Sequence, residues 1–160
     1  MIKGINMQEK TLFIESSDIT EQLAEQIGRN LQGGECIELV SDLGGGKTTF
    51  TRGLVRGVGS LDNVSSPTFT VGKQYVSGDI TCYHFDFYRL VQPGLVAEEL
   101  AEAIDDPKGI IIVEWADSVT EVLPIDRVVV TFHKVADDSE SRKITIKYPD
   151  KFMYAFQGVK

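Results

Sequence analysis

The stretch Cys36-Ile37-Glu38-Leu39-Val40-Ser41-Asp42-Leu43-Gly44-Gly45-Gly46-Lys47-Thr48-Thr49-Phe50 decides how the rest of the chain is read. Residues 35–41 predict a compact strand. Phe50, Leu54 and Val58 recur every four positions and predict a helix that leaves the glycine turn at once. A strand that enters such a turn, with a helix leaving it, aims successive backbone N–H groups at an anion. The positive end of the helix dipole lies behind them. Glycine keeps side chains from blocking that approach. Lys47 would then reach the β- and γ-phosphates of a nucleotide, and the Thr48 hydroxyl would ligate Mg²⁺. The first glycine of the usual phosphate-loop pattern is Ser41 here, which serves if its φ stays negative.

Outward from the loop, the pattern is that of one α/β domain. Residues 11–15 predict a strand, and Asp18 with Glu21 a capping box opening a helix. Ile19, Leu23, Ile27 and Leu31 give that helix one apolar stripe. Residues 69–75 and 80–88 predict a hairpin through Ser77-Gly78-Asp79, and residues 95–104 an acidic helix. Residues 109–115 form a continuous apolar strand, the signature of burial on both faces. Residues 127–135 and 142–148 predict a second hairpin. The expected fold is therefore a single phosphate-loop NTPase-like domain, with a central mixed sheet flanked by helices and a C-terminal antiparallel hairpin. Residues 1–10 are expected as an N-terminal extension, 11–148 as the domain and 149–160 as a tail.

Composition narrows the function classes. With 16 basic and 24 acidic residues among 160, the net charge is −8. That makes a poor stand-alone nucleic-acid binder, since phosphate neutralisation needs clustered Lys and Arg. Residues 91–121 hold eight acids against Lys108 alone, while 47–75 hold Lys47, Arg52, Arg56 and Lys73 against Asp62. No apolar run approaches a membrane span, and residues 1–10 carry no apolar signal core. Cys36 and Cys82 have neither CxxC spacing nor a His cluster beside them, and read as buried reduced thiols of a cytoplasmic protein.

A phosphate-loop enzyme also needs an acid at the end of a neighbouring strand. Glu114 closes the apolar run 110–113 and meets that need. An acid there is costly unless it faces a cation or a cleft. Asp86 is a second candidate: period two places His84, Asp86 and Tyr88 on one strand face, with Phe85 and Phe87 on the other. His84 reads as a structural histidine, and Trp115 as a core anchor more than a wall of the site.

Four segments together resemble the TsaE family of small bacterial ATPases, also called YjeE or YdiB. They are Asp42-Leu43-Gly44-Gly45-Gly46-Lys47-Thr48-Thr49-Phe50, Ser66-Pro67-Thr68-Phe69-Thr70, His84-Phe85-Asp86-Phe87-Tyr88-Arg89-Leu90 and Glu114-Trp115. The resemblance implies slow hydrolysis of ATP with Mg²⁺. It also implies a supporting role, with a TsaB–TsaD pair, in forming threonylcarbamoyladenosine beside the anticodon of tRNAs reading codons that start with A. It implies that residues 42–49 (Asp42, Leu43, Gly44, Gly45, Gly46, Lys47, Thr48 and Thr49) hold phosphate, and that Thr48 and Glu114 ligate Mg²⁺. Asp86 would position water, Thr68 would sit on a switch-like loop, and Ser17 would lie near the base. The acidic stretch between Leu95 and Asp106 departs from family members.

Two other readings stay open. A small nucleoside or nucleotide kinase would share the loop, although an Arg-bearing lid is hard to find among Arg89, Arg127 and Arg142. A nucleotide-dependent protein-binding module would share it too. A GTPase is disfavoured, because no Asn-Lys-x-Asp motif occurs.

Overall fold

Strand β5 (Gly109–Glu114) is buried at every residue, and the molecule is organised around it. The computed structural model describes residues 4–42, 44–67, 72–88, 94–135 and 140–159. Leu43 of the glycine loop and Thr68 of the expected switch lie outside the described residues.

Parallel pairing places β5 between β2 (Cys36–Val40) and β4 (Ile80–Asp86). Strand β6 (Val128–Lys134) extends the parallel set beyond β2. Antiparallel strands finish both sides: β3 (Gly72–Ser77) beside β4, then β7 (Arg142–Pro149) and β1 (Met7–Ile14) beyond β6. The sheet order is β1-β7-β6-β2-β5-β4-β3, and both expected hairpins are present. This is the mixed sheet the sequence predicts, and it puts the carboxyl ends of β2, β4 and β5 side by side.

Helices α1 (Ser17–Asn30) and α2 (Lys47–Val58) cover one face through Leu23, Ile27, Phe50 and Leu54, packed on Ile110, Ile112 and Ile144. Helix α3 (Gly94–Ile104) covers the other through Leu100 and Ala103, against Phe85, Ile111 and Val113. Burying one such aliphatic side chain contributes about 1.5–3 kcal/mol, so the two clusters dominate stability. Cys36 and Cys82 are free thiols on opposite faces of the sheet, and burial pushes each up to about 12.

The α1–α2 seam is unusually close. A Cβ at Gly53 would stand 2.2 Å from the Glu21 carbonyl oxygen, and one at Gly57 2.2 Å from that of Glu25. Only glycine lets the two backbones approach so far. Along the seam's rim Arg56 donates to both Glu21 and Glu25.

Three local expectations are corrected. Strand β1 begins at Met7 rather than residue 11, pairing Met7 with Pro149 through to Ile14 with Arg142. Its first residues are solvent-exposed on an edge and so carry no hydrophobic signal. The N-cap of α1 is Ser16, whose side chain accepts from the Ile19 N–H; Asp18 lies in the first turn and favours the helix dipole instead. The segment from Pro149, expected as a tail, is the end of β7 followed by a 3-10 helix, Asp150–Phe156. Phe152, Ala155, Phe156 and Val159 are buried against the α1 side of the core. The Tyr154 hydroxyl donates to Glu35, a fully buried carboxylate that also accepts from the N–H groups of Gln32 and Gly33.

Candidate functional site

The loop from β2 to α2 ends at Gly46, which caps α2 with φ 104° and offers no side-chain acceptor to the first turn. No acidic residue occupies that turn either. The leading N–H groups of α2 therefore keep their capacity for an external acceptor. Ser41 sits outside the left-handed region, as required; Trp115 is the only non-glycine residue with positive φ among the described residues. The Ser41 hydroxyl donates to the Asp42 carbonyl at 2.8 Å and leaves no room for a side chain at position 45.

Lys47 folds back into this loop. Its Nζ donates to Ser41 Oγ at 3.1 Å and to the Ser41 carbonyl at 3.2 Å, and lies 4.4 Å from the centre of the Trp115 ring. Burial lowers its pKa, opposed by the negative charges of Glu114, Asp86 and Asp42.

Two carboxylates face it from adjacent strand ends. Asp86 and Glu114 are partners in the β4–β5 register. Glu114 is buried, with Oε2 2.7 Å from His84 Nε2. Asp86 accepts the Tyr88 N–H at 2.9 Å. Burial raises the Asp86 carboxyl above its ordinary range, partly offset by the Tyr88 bond, with the charge of Glu114 adding to the rise.

These groups share one cleft of about 490 Å³, walled by the loop and by Ser66, Pro67, Tyr88 and Trp115. Lys47, Thr48, Asp86 and Glu114 thus line one cleft. Ser17 is not in this cleft. It lines a smaller one of about 150 Å³ on another side of the loop, with Thr20, Thr49 and Arg142.

Three participants escape the sequence reading. Trp115, read as a core anchor, turns in the left-handed conformation (φ 55°, ψ 52°) and stacks near Tyr88, 4.9 Å between centroids, to form a wall of the cleft. Its signal is its position directly after the strand-closing acid, where a chain that must turn can place a ring over the loop. Arg142 donates to the carbonyls of Gly44 and Gly45 at 3.2 Å each, a contact across nearly a hundred residues that no local pattern announces. His84, read as a structural histidine, is fully buried, and among the described residues its one hydrogen bond goes to Glu114.

The donor set suits Mg²⁺. Thr48, Asp86 and Glu114 offer oxygen, and neither carboxylate pairs with a Lys or Arg in an ion pair among the described residues. No cluster of three His, Cys, Asp or Glu that could hold a metal occurs among the described residues. An ion that keeps water and phosphate oxygens as ligands needs no such cage. No helix among the described residues is long and apolar enough to cross a membrane.

The comparisons agree with this fold. The profile of the family described as "Threonylcarbamoyl adenosine biosynthesis protein TsaE" matches residues 14–144. The tRNA threonylcarbamoyladenosine biosynthesis protein TsaE of Bacillus subtilis is 36% identical over 127 residues, 79% of this chain and 77% of the relative. The protein of that name from Synechocystis is 35% identical over 121 residues, 74% of this chain and 77% of the relative. The crystal structure of Bacillus subtilis YdiB superposes with a TM-score of 0.76 at 27% identity, covering 96% of this chain and 95% of that one. With its phosphate-loop α/β fold and a profile match running from the end of β1 into β7, the chain belongs to the TsaE family.

Proposed function

We propose that the chain is a Mg²⁺-dependent ATPase, slow alone, that supports threonylcarbamoyladenosine formation beside the anticodon of tRNAs reading codons that start with A. It acts in the cytoplasm with a TsaB–TsaD-like complex. One observation carries the ATPase reading: a single cleft joins the uncapped start of α2, Lys47, Thr48 and the register-paired acids Asp86 and Glu114. The names of the relatives support the tRNA pathway.

In this reading the loop amides and Lys47 bind the phosphates, and Lys47 leaves Ser41 to do so. Thr48 and Glu114 hold Mg²⁺, which when bound neutralises charge developing on the phosphoryl oxygens. Asp86, beside Glu114, orients the attacking water, and Trp115 with Tyr88 restricts solvent at that end of the cleft. Ser17 faces the smaller cleft, where the base end of the nucleotide fits.

The net charge of −8 argues that tRNA is reached through the protein partner rather than by direct binding. Co-elution with purified TsaB–TsaD should be stronger in ATP than in ADP. A reconstituted modification assay, run with and without this protein, tests the proposal. Multiple turnovers should need the protein and ATP, and Lys47→Ala should not replace it. Equal product without the protein would defeat the pathway assignment, and transfer of phosphate to an acceptor nucleoside would favour the kinase.

A further inference from the structure

We propose that His84 is a positioning residue for Glu114, its Nε2–H fixing one carboxylate oxygen so that the other is held toward the cleft. The proposal rests on Glu114 being the metal-side acid of the site.

His84 lies on β4, two residues before Asp86 and on the same strand face. Its ring is completely buried on the core side shared with Tyr75, Cys82, Ile110 and Ile112. The Tyr75 ring centroid lies 6.3 Å from its own. Within that apolar surround, among the described residues, the imidazole makes one polar contact, Nε2 to Glu114 Oε2 at 2.7 Å, while its buried Nδ1 has no hydrogen-bond partner.

That asymmetry fixes the tautomer. A proton on Nδ1 would be a buried donor without an acceptor, and would turn the Nε2 lone pair against the carboxylate. A proton on Nε2 is donated to Glu114, and leaves on Nδ1 only an acceptor, the milder of the two losses. A histidine that merely filled the core could be replaced by an apolar ring without leaving Nδ1 unpaired. The one bond His84 returns for that penalty goes to the cleft acid.

The acid needs such a donor. Glu114 and Asp86 are like charges on paired strand positions, and each is held by a different group. The Tyr88 N–H fixes Asp86, and His84 fixes Glu114 from behind. Without His84, no other hydrogen bond in the structure holds the Glu114 side chain among the described residues. A flexible carboxylate beside a second carboxylate would turn away from it, and away from the position a metal ligand must keep. Outer hydrogen bonds to metal-binding side chains serve this orienting role generally, at about 10- to 100-fold in metal affinity or activity.

The test compares His84→Leu, His84→Gln and Glu114→Gln with the parent protein. The readout is affinity for a non-hydrolysable ATP analogue by calorimetry, in excess MgCl₂ and again in EDTA. The ratio of the two is the metal-dependent gain. His84→Leu should lose at least about tenfold of that gain while keeping the EDTA affinity. His84→Gln, whose amide nitrogen reaches the place of Nε2, should recover most of it. Imidazole ¹⁵N spectra of the nucleotide-free parent protein should show the proton on Nε2. A parental gain in His84→Leu, with the gain lost in Glu114→Gln, overturns the role of His84 and leaves the reading of Glu114 intact. An undiminished gain in Glu114→Gln defeats that reading and the proposal with it. If His84→Leu does not fold, His84→Gln and the spectra decide: a proton on Nδ1 with none on Nε2, or no recovery in the folded glutamine variant, is fatal.

Discussion

Glycine is used in two opposite ways in this molecule. In the loop, Gly44 and Gly46 have positive φ (75° and 104°), and a Cβ on Gly44 would meet nothing within 4 Å. In the α1–α2 seam, no positive φ is involved at Gly53 and Gly57, but a Cβ there would run into carbonyl oxygens at 2.2 Å. The first pair supplies conformation and open access; the second supplies contact. The loop can therefore lose function with little loss of packing, and the seam the reverse. The molecule divides into a rigid frame and a site carried on strand ends, and the division can be tested by trying to make each part fail alone.

The largest separation is expected at Glu114. Glu114→Gln keeps shape and the acceptor for His84 but removes charge from the site. ATP turnover should fall about 100-fold or more, the scale of losing a placed catalytic group. Affinity for ATP in EDTA should stay within a few fold, because the loop amides are untouched. Single-turnover hydrolysis beside calorimetry reads both. Equal turnover would make Glu114 part of the frame.

Lys47 comes next. Its ammonium spans loop and cleft, bonded to Ser41 and facing both acids. Lys47→Ala should weaken ATP binding about 10- to 100-fold, the loss of a charge-assisted contact, with an unchanged far-ultraviolet spectrum. Unchanged affinity in a folded variant would mean that nucleotide phosphate does not reach this lysine.

The glycine pair gives a double dissociation of smaller size. Gly53→Ala must push the α1 and α2 backbones apart and should cost about 1–3 kcal/mol, as overpacking does. For a chain of this length that lowers Tm by roughly 2–4 °C per kcal/mol, with ATP affinity of the folded fraction retained. Gly44→Ala should cost about 1–2 kcal/mol for the left-handed conformation and, unlike Gly53→Ala, weaken ATP binding. If both variants lost binding and stability in the same proportion, frame and site would be one cooperative unit.

The same division explains what the sequence disclosed. The strand-closing Glu114 was legible because Ile110–Val113 is apolar without a break, and the loop because its glycines precede a helical stripe. The edge residues Met7–Lys10 were not, since an edge exposes them and removes the pattern. The 3-10 segment carried a signal that a different period would have caught: Phe152, Ala155, Phe156 and Val159 are spaced as one helical face. His84 with Glu114, and Arg142 with the loop carbonyls, are pairings across thirty or more residues that only the register of the sheet creates. Spacing along the chain records which face a side chain takes, and not which distant group it meets there.

The smallest effect expected at neutral pH concerns the two thiols, and it asks whether the frame opens when the site fills. Cys36 and Cys82 lie on opposite sheet faces at 3% and 1% exposure, and burial holds both near 12 against an ordinary value of 9.0. A raised thiol pKa means that the folded state keeps protons which the unfolded chain releases. The contribution to stability is therefore complete below pH 9 and is lost as pH rises toward 12, by up to about 1.4 kcal/mol per pH unit for each thiol. Alanine at both positions removes this slope, so the stability difference between parent and double variant should narrow through that window and stay flat below it. At neutral pH, a thiol reagent should modify either cysteine only through unfolding. ATP binds the folded state and should slow the modification or leave it unchanged. Faster modification of Cys36 or Cys82 in ATP would show that filling the site loosens the strands beneath it, and the separation of frame from site would fail at the strand ends where the two meet.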